Sequence, residues 1–74
     1  MTEDSRPLDA LNEAKGKRVI LSLKNGEEIT GVLSAFDLHL NLWLKDAELR
    51  NDSKTTKLGT IVVRGDNILF ISPE

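Results

Sequence analysis

The stretch KRVILSLKNGEEITGVL, residues 17–33, constrains the fold more than any other. Apolar and polar residues alternate with a period of two, so Val19, Leu21 and Leu23 share one face of a strand. Asn25-Gly26 then interrupts the alternation, and a second strand-like run follows. Asn-Gly between two such runs is the strongest short-range hairpin signal, because both residues tolerate the positive φ that tight hairpin turns demand. Gly31 falls inside the second run, where glycine marks a bulge or a sharp bend.

The rest of the chain fits around this hairpin. SRPLDALNEAKG predicts a helix over about residues 5–15. Ser5 is placed to cap it, Pro7 is tolerated in the first turn, and Asp9 favours the positive end. Leu8 and Leu11, with Ala14 or the stem of Lys15, form one stripe, and Gly16 is a natural stop. LHLNLWLKDAEL, residues 38–49, reads as a long third strand, and RNDSKTTK, residues 50–57, as a polar loop. LGTIVV and NILFI read as two short strands joined by a tight turn at RGDN. Connections this short place successive strands side by side and antiparallel. The expected architecture is mainly β: one domain spanning residues 1–74, with an N-terminal helix and a five-stranded, strongly bent antiparallel sheet curling into a small open barrel. The last strands are apolar and β-branched, so an open edge there needs a cover. Pairing with a second copy supplies one, and a head-to-tail contact of unlike edges closes into a ring.

Size favours association as well. A core built from 74 residues contributes only about 3–5 kcal/mol. Small domains are commonly reinforced by disulfides, metals or oligomerisation, and this chain has no cysteine and one histidine. No secretory leader is legible, and no apolar run approaches the ~20 residues of a membrane span. A cytoplasmic protein with no membrane partner is therefore expected. The net charge of −2 argues against gripping DNA by bulk charge and leaves room for a local, shaped site.

DLHLNLWL, residues 37–44, carries the chemistry that a core does not need. Read as a strand, it sets His39 and Asn41 on the same side, about 6.5–7 Å apart. Imidazole offers a flat stacking face, and a carboxamide offers donor and acceptor together. That pair answers the O4 and N3–H edge of uracil and rejects cytosine, whose pattern is reversed. Solvated residues at a strand start are the plainer reading. In RGDN, the Arg64 guanidinium can stack on a base and face phosphates, while Gly65 lets the backbone turn and leaves neighbouring N–H groups open. A surface turn with a solvated arginine is again the plainer reading. Asp37 is placed to orient a turn by accepting N–H groups. Trp43 could stack a base, but a position near a subunit contact or under the helix is the simpler expectation. Asp37 and His39 lack a nucleophile, a second carboxylate or a metal cluster, and no phosphate-binding glycine loop appears, so neither catalysis nor a cofactor is expected. A small β-barrel module that binds peptide along a sheet edge is the alternative.

Two segments together resemble a known family. GKRVILSLKNGEEITGVLSAFDLHLNLWLKDAE, within residues 16–49, is similar to the first Sm motif, and GTIVVRGDNILFISP, residues 59–73, to the second. The matching points are Gly31, then Phe36, Asp37, His39 and Asn41, then Arg64, Gly65 and Asn67. The chain resembles an archaeal Sm-like (Lsm) protein. The Tyr-Lys-His element of the bacterial Hfq branch is absent. The resemblance implies a ring, usually of seven identical subunits, closed by pairing the fourth strand of one with the fifth of the next. It implies single-stranded U-rich RNA as ligand, with uracil stacked between His39 and Arg64 near the central hole. Asn41 would bond the base, Asp37 would support the loop, and the backbone near Gly65 and Asp66 would add a contact. The work implied is RNA processing, stability or turnover, without catalysis.

Overall fold

The computed structural model describes residues 7–74. Helix α1 covers Pro7–Ala14, and Ser5, read above as its cap, lies outside the described residues. Five strands follow: β1 (Arg18–Leu23), β2 (Glu28–Phe36), β3 (Leu42–Asn51), β4 (Lys54–Val63) and β5 (Ile68–Pro73). All pairings are antiparallel, in the spatial order β4-β3-β2-β1-β5.

The helix ends as the sequence suggests. Gly16 takes φ 83°, the left-handed conformation that closes a helix without a Cβ penalty. Its N–H donates to the Leu33 carbonyl at 2.7 Å, and the Leu33 N–H donates to the Lys17 carbonyl at 3.0 Å, so the chain is tied to β2 before β1 begins. Leu11 joins the buried core, and Leu8 and Ala14 pack against it, so α1 lies on the core face of the sheet. That face is built by the period-two pattern. Val19, Leu21, Leu33, Leu42 and Leu44 are fully buried.

The first hairpin follows its turn residues. Gly26 adopts φ 89° and donates its N–H to the Leu23 carbonyl at 3.0 Å, while Asn25 Oδ1 accepts from the Glu27 N–H at 3.0 Å. The β2–β3 register shifts between Thr30 and Val32, at Gly31. There a Cβ would lie 3.2 Å from the Ala47 Cα and 3.3 Å from the Leu44 Cβ, so the glycine lets β3 press against β2 at the bend. A second shift between Leu44 and Ala47 brackets Asp46, at φ 52°. These irregularities add twist and curl the sheet.

Three expectations change. The 50–57 segment is no loop: β3 runs to Asn51 and β4 starts at Lys54, joined through Asp52 at φ 56° and Ser53. Lys54, Thr55, Thr56 and Lys57 are exposed on both faces, so no alternation betrays the strand, and lysines blunt an open edge. The third strand begins at Leu42, four residues later than read, because 37–41 forms a turn. Finally, RGDN does not make β4 and β5 neighbours. A 3₁₀ turn at Gly65–Asn67 carries the chain across to β1, so β4 and β5 form opposite edges. A short connection dictates pairing in a flat sheet; in one bent this far, the two edges approach and a single turn spans them. The barrel stays open. Among the described residues no helix is long and apolar enough to cross a membrane.

Gly31→Val places branched carbon against the β3 backbone and overpacks the bend. It should lower stability by about 1–3 kcal/mol, read by chemical denaturation. An unchanged midpoint would show that the bend tolerates a side chain.

Candidate nucleic-acid interface

The connections after β2 and after β4 meet at one end of the sheet. The first is residues 37–41, organised by one carboxylate. Asp37 Oδ1 accepts the His39 N–H at 2.9 Å and the Asn41 N–H at 3.0 Å, and Asp37 Oδ2 accepts from Asn41 Nδ2 at 3.2 Å. The Leu40 N–H donates to the Asp37 carbonyl at 3.0 Å, and the Asp37 N–H to the Asn41 carbonyl at 3.2 Å. Closing so tight a loop forces Leu40 to φ 62°, a conformation costly for a leucine and frequent at functional sites. The donors, first among them the Asn41 N–H, hold the Asp37 carboxyl below its ordinary value of 3.8.

The second connection, Arg64 to Asn67, docks on the first. The Gly65 N–H donates to Asn41 Oδ1 at 2.9 Å. A Cβ on Gly65 would lie 2.5 Å from the His39 carbonyl oxygen and 2.7 Å from that of Leu40. Glycine is required here by closeness of approach, since any side chain would drive the two loops apart. The turn is anchored from the other side by the Lys24 N–H, which donates to the Asn67 carbonyl at 3.0 Å.

The residues singled out from the sequence are thus gathered, with changed duties for some. His39 and Asn41 do not lie on a strand; both belong to the turn, so the strand spacing of about 6.5–7 Å does not apply. The Asn41 carboxamide is half engaged, its oxygen by Gly65 and one amide hydrogen by Asp37. One lone pair and one hydrogen remain by count. The Gly65 N–H, read as open to a ligand, is occupied by Asn41. Arg64 is exposed, and its Nη2 lies 3.4 Å from Asp66 Oδ2, an exposed pair of little energetic weight. Trp43 does not sit under the helix: it points away from the core between buried Leu42 and Leu44. The strained Leu40 went unnoticed in the sequence, since a leucine between histidine and asparagine carries no turn signal of its own.

A bent five-stranded sheet with two open edges, and two interlocked connections presenting an imidazole, a carboxamide and a guanidinium, defines a small β-barrel binding protein. The chain belongs to the LSM domain family, whose sequence model matches residues 9–73. It is 46% identical to an snRNP Sm-like protein of Archaeoglobus fulgidus over 69 residues, 92% of this chain and 90% of that protein. Among solved structures, the P. aerophilum SmAP1 heptamer matches with a TM-score of 0.91 and 45% identity, covering 96% of each chain. The Pyrococcus abyssi Sm protein in complex with a uridine heptamer matches with a TM-score of 0.89 and 45% identity, covering 95% of this chain and all of that one.

Two outcomes follow from the interlock. Gly65→Ala should cost about 1–3 kcal/mol by overpacking against two carbonyls, seen as a lowered denaturation midpoint. A wild-type midpoint would mean that the loops part freely. A depressed folded-state pKa means that Asp37 favours the docked loop at pH above 3.8, and that this contribution is lost as pH falls through the lower folded value. Hydrogen-exchange protection of the Asn41 amide should therefore persist from pH 7 through pH 5 and collapse only below the ordinary carboxylate range; collapse nearer neutrality contradicts the assignment.

Proposed function

We propose that this chain assembles head-to-tail into a ring of seven identical subunits that binds single-stranded, U-rich RNA, and that it acts in RNA processing, stability or turnover. The observation that carries the reading is the docking of the Arg64–Asn67 turn on the Asp37–Asn41 loop, which brings a stacking ring, an amide and a guanidinium to one end of the sheet. Uracil lies between His39 and Arg64, and the remaining donor and acceptor of Asn41 face its edge. Asp37 and Gly65 hold the loops in register, and the backbone near Asp66 adds a contact. The Pyrococcus abyssi relative in complex with a uridine heptamer supports the ligand, and the P. aerophilum SmAP1 heptamer supports the ring.

The sheet edges support assembly. β4 and β5 each offer an unpaired backbone ladder, with Leu58 and Val62 exposed on one and Leu69 and Phe70 on the other. Strand-to-strand pairing between copies satisfies both ladders and covers this apolar surface. Copies repeated around a ring raise the effective concentration for a strand already held at one site. The work is binding, not catalysis, with no cofactor, and the compartment is the cytoplasm.

The same open edges also suit an added peptide strand in a monomeric module. Light scattering separates the two: a mass near seven times 8.2 kDa is expected, and a monomer overturns the ring. Arg64→Ala removes a cation and stacking plane at an exposed position, so short oligouridylate should bind about 5–30-fold more weakly with the mass unchanged. Binding equal to wild type would remove Arg64 from the pocket.

A further inference from the structure

Neither the base pocket nor the core explains the placement of Trp43. It lies on β3 with 46% exposure, although its neighbours Leu42 and Leu44 are buried. Across the strands it is paired with Ala35 of β2 on one side and Val62 of β4 on the other. Ala35 is too short to cover the indole, and Val62, 66% exposed in the single chain, lies on the β4 edge that meets the next copy. The row Ala35–Trp43–Val62 therefore forms an apolar ledge on the face opposite the core. A lone exposed hydrophobe needs no explanation, but a contiguous ledge beside a binding loop does.

The ledge is continuous with the loop. One open cavity of about 230 Å³ is lined by Ala35, Phe36, Asp37, Asn41, Trp43 and Val62, so Trp43 and Asn41 border the same space. Both strand neighbours of β3 are paired along this row, so the indole is held on a rigid element. Lys45, two positions along and also exposed, adds a cation on the strand that carries the indole.

We infer that Trp43 forms a second base subsite, which stacks the nucleobase next to the uracil held between His39 and Arg64; the inference rests on the RNA-binding reading above. An indole accepts the face of any base, so this subsite tolerates all four while the Asn41 site selects. It borders the base pocket at Asn41 and differs from it in the side chain that stacks and in the nucleotide it takes. Two adjacent nucleotides per subunit are then engaged, one read at its edge and one stacked.

The chain contains one tryptophan and no tyrosine, so its emission reports on this residue. A fluorescently labelled triuridylate should be titrated into the assembled protein, following label anisotropy and indole emission together. Both should change and saturate at the same concentration. Trp43→Ala should weaken binding about 5–150-fold, as loss of one stacked base implies, with the mass by light scattering unchanged, and Trp43→Phe should recover most of it. Saturating anisotropy with unaltered indole emission, or wild-type affinity in Trp43→Ala, would leave the uracil pocket standing and remove the second subsite. A changed mass in Trp43→Ala would make the residue a subunit contact and overturn the inference. Failure of triuridylate to bind the wild-type protein at all would bring down both readings together.

Discussion

A single carboxylate at the end of β2 organises everything that makes this sheet more than a scaffold. Asp37 gathers two backbone N–H groups and one amide hydrogen, and by doing so aims the Asn41 oxygen at the Gly65 N–H. Residues 24 positions apart are thereby fixed to each other by one hydrogen bond and one close backbone approach. An unmade bond to the part-buried Gly65 N–H would cost about 1–3 kcal/mol, a large share of what so small a core can supply. The same contacts leave His39 and Arg64 exposed at the meeting point of two loops. Structure and recognition are therefore coupled through Asn41, whose carboxamide both closes the junction and keeps one donor and one acceptor for a ligand.

The bend of the sheet makes that junction possible. Gly31 admits β3 at close range, and the irregularities around Asp46 add curl. The bent sheet brings the end of β4 within one 3₁₀ turn of the start of β5, yet leaves the two unpaired. A closed barrel would have satisfied its own edges and stayed alone. This one exposes two unlike edges, and unlike edges on one molecule can only satisfy each other through a second copy. The cysteine-free composition, the small core and the open edges all favour association, which stabilises a folded chain by mass action.

Much of this was legible because it follows local rules. Asn25-Gly26 announces its hairpin, Gly16 ends the helix, and Val19, Leu21 and Leu23 declare their buried face by alternation. Legibility fails where tertiary geometry overrides local pattern. Lys54 to Lys57 form a strand with neither face buried, so no period exists to be read. His39 and Asn41 alternate with leucines as a strand would, but Asp37 captures their N–H groups and turns the chain. Leu38 and Leu40, which alternate with polar residues as a strand would, are left exposed by that turn. The partner of β5 was hidden for a different reason: pairing across the sheet depends on its total curvature, which no short window of sequence contains.

The electrostatics close the account of how a mildly acidic chain can present a site for a polyanion. Non-specific binding to nucleic acid scales with the number of phosphates neutralised, and a net charge of −2 gives no such reserve. Arg64 moreover has an opposite charge beside its own, Asp66 Oδ2 at 3.4 Å from its Nη2. What remains strong at such a site is stacking and edge recognition, which act on the base and do not need excess positive charge. Stacking also requires bases free of a duplex, so the composition itself biases the site toward single strands. Weak, base-directed contacts then gain strength by repetition, since each subunit of a ring presents the same surface to the next nucleotides of a strand already held. The charge deficit is thus a source of selectivity, because a polyanion without exposed bases offers this surface little to hold.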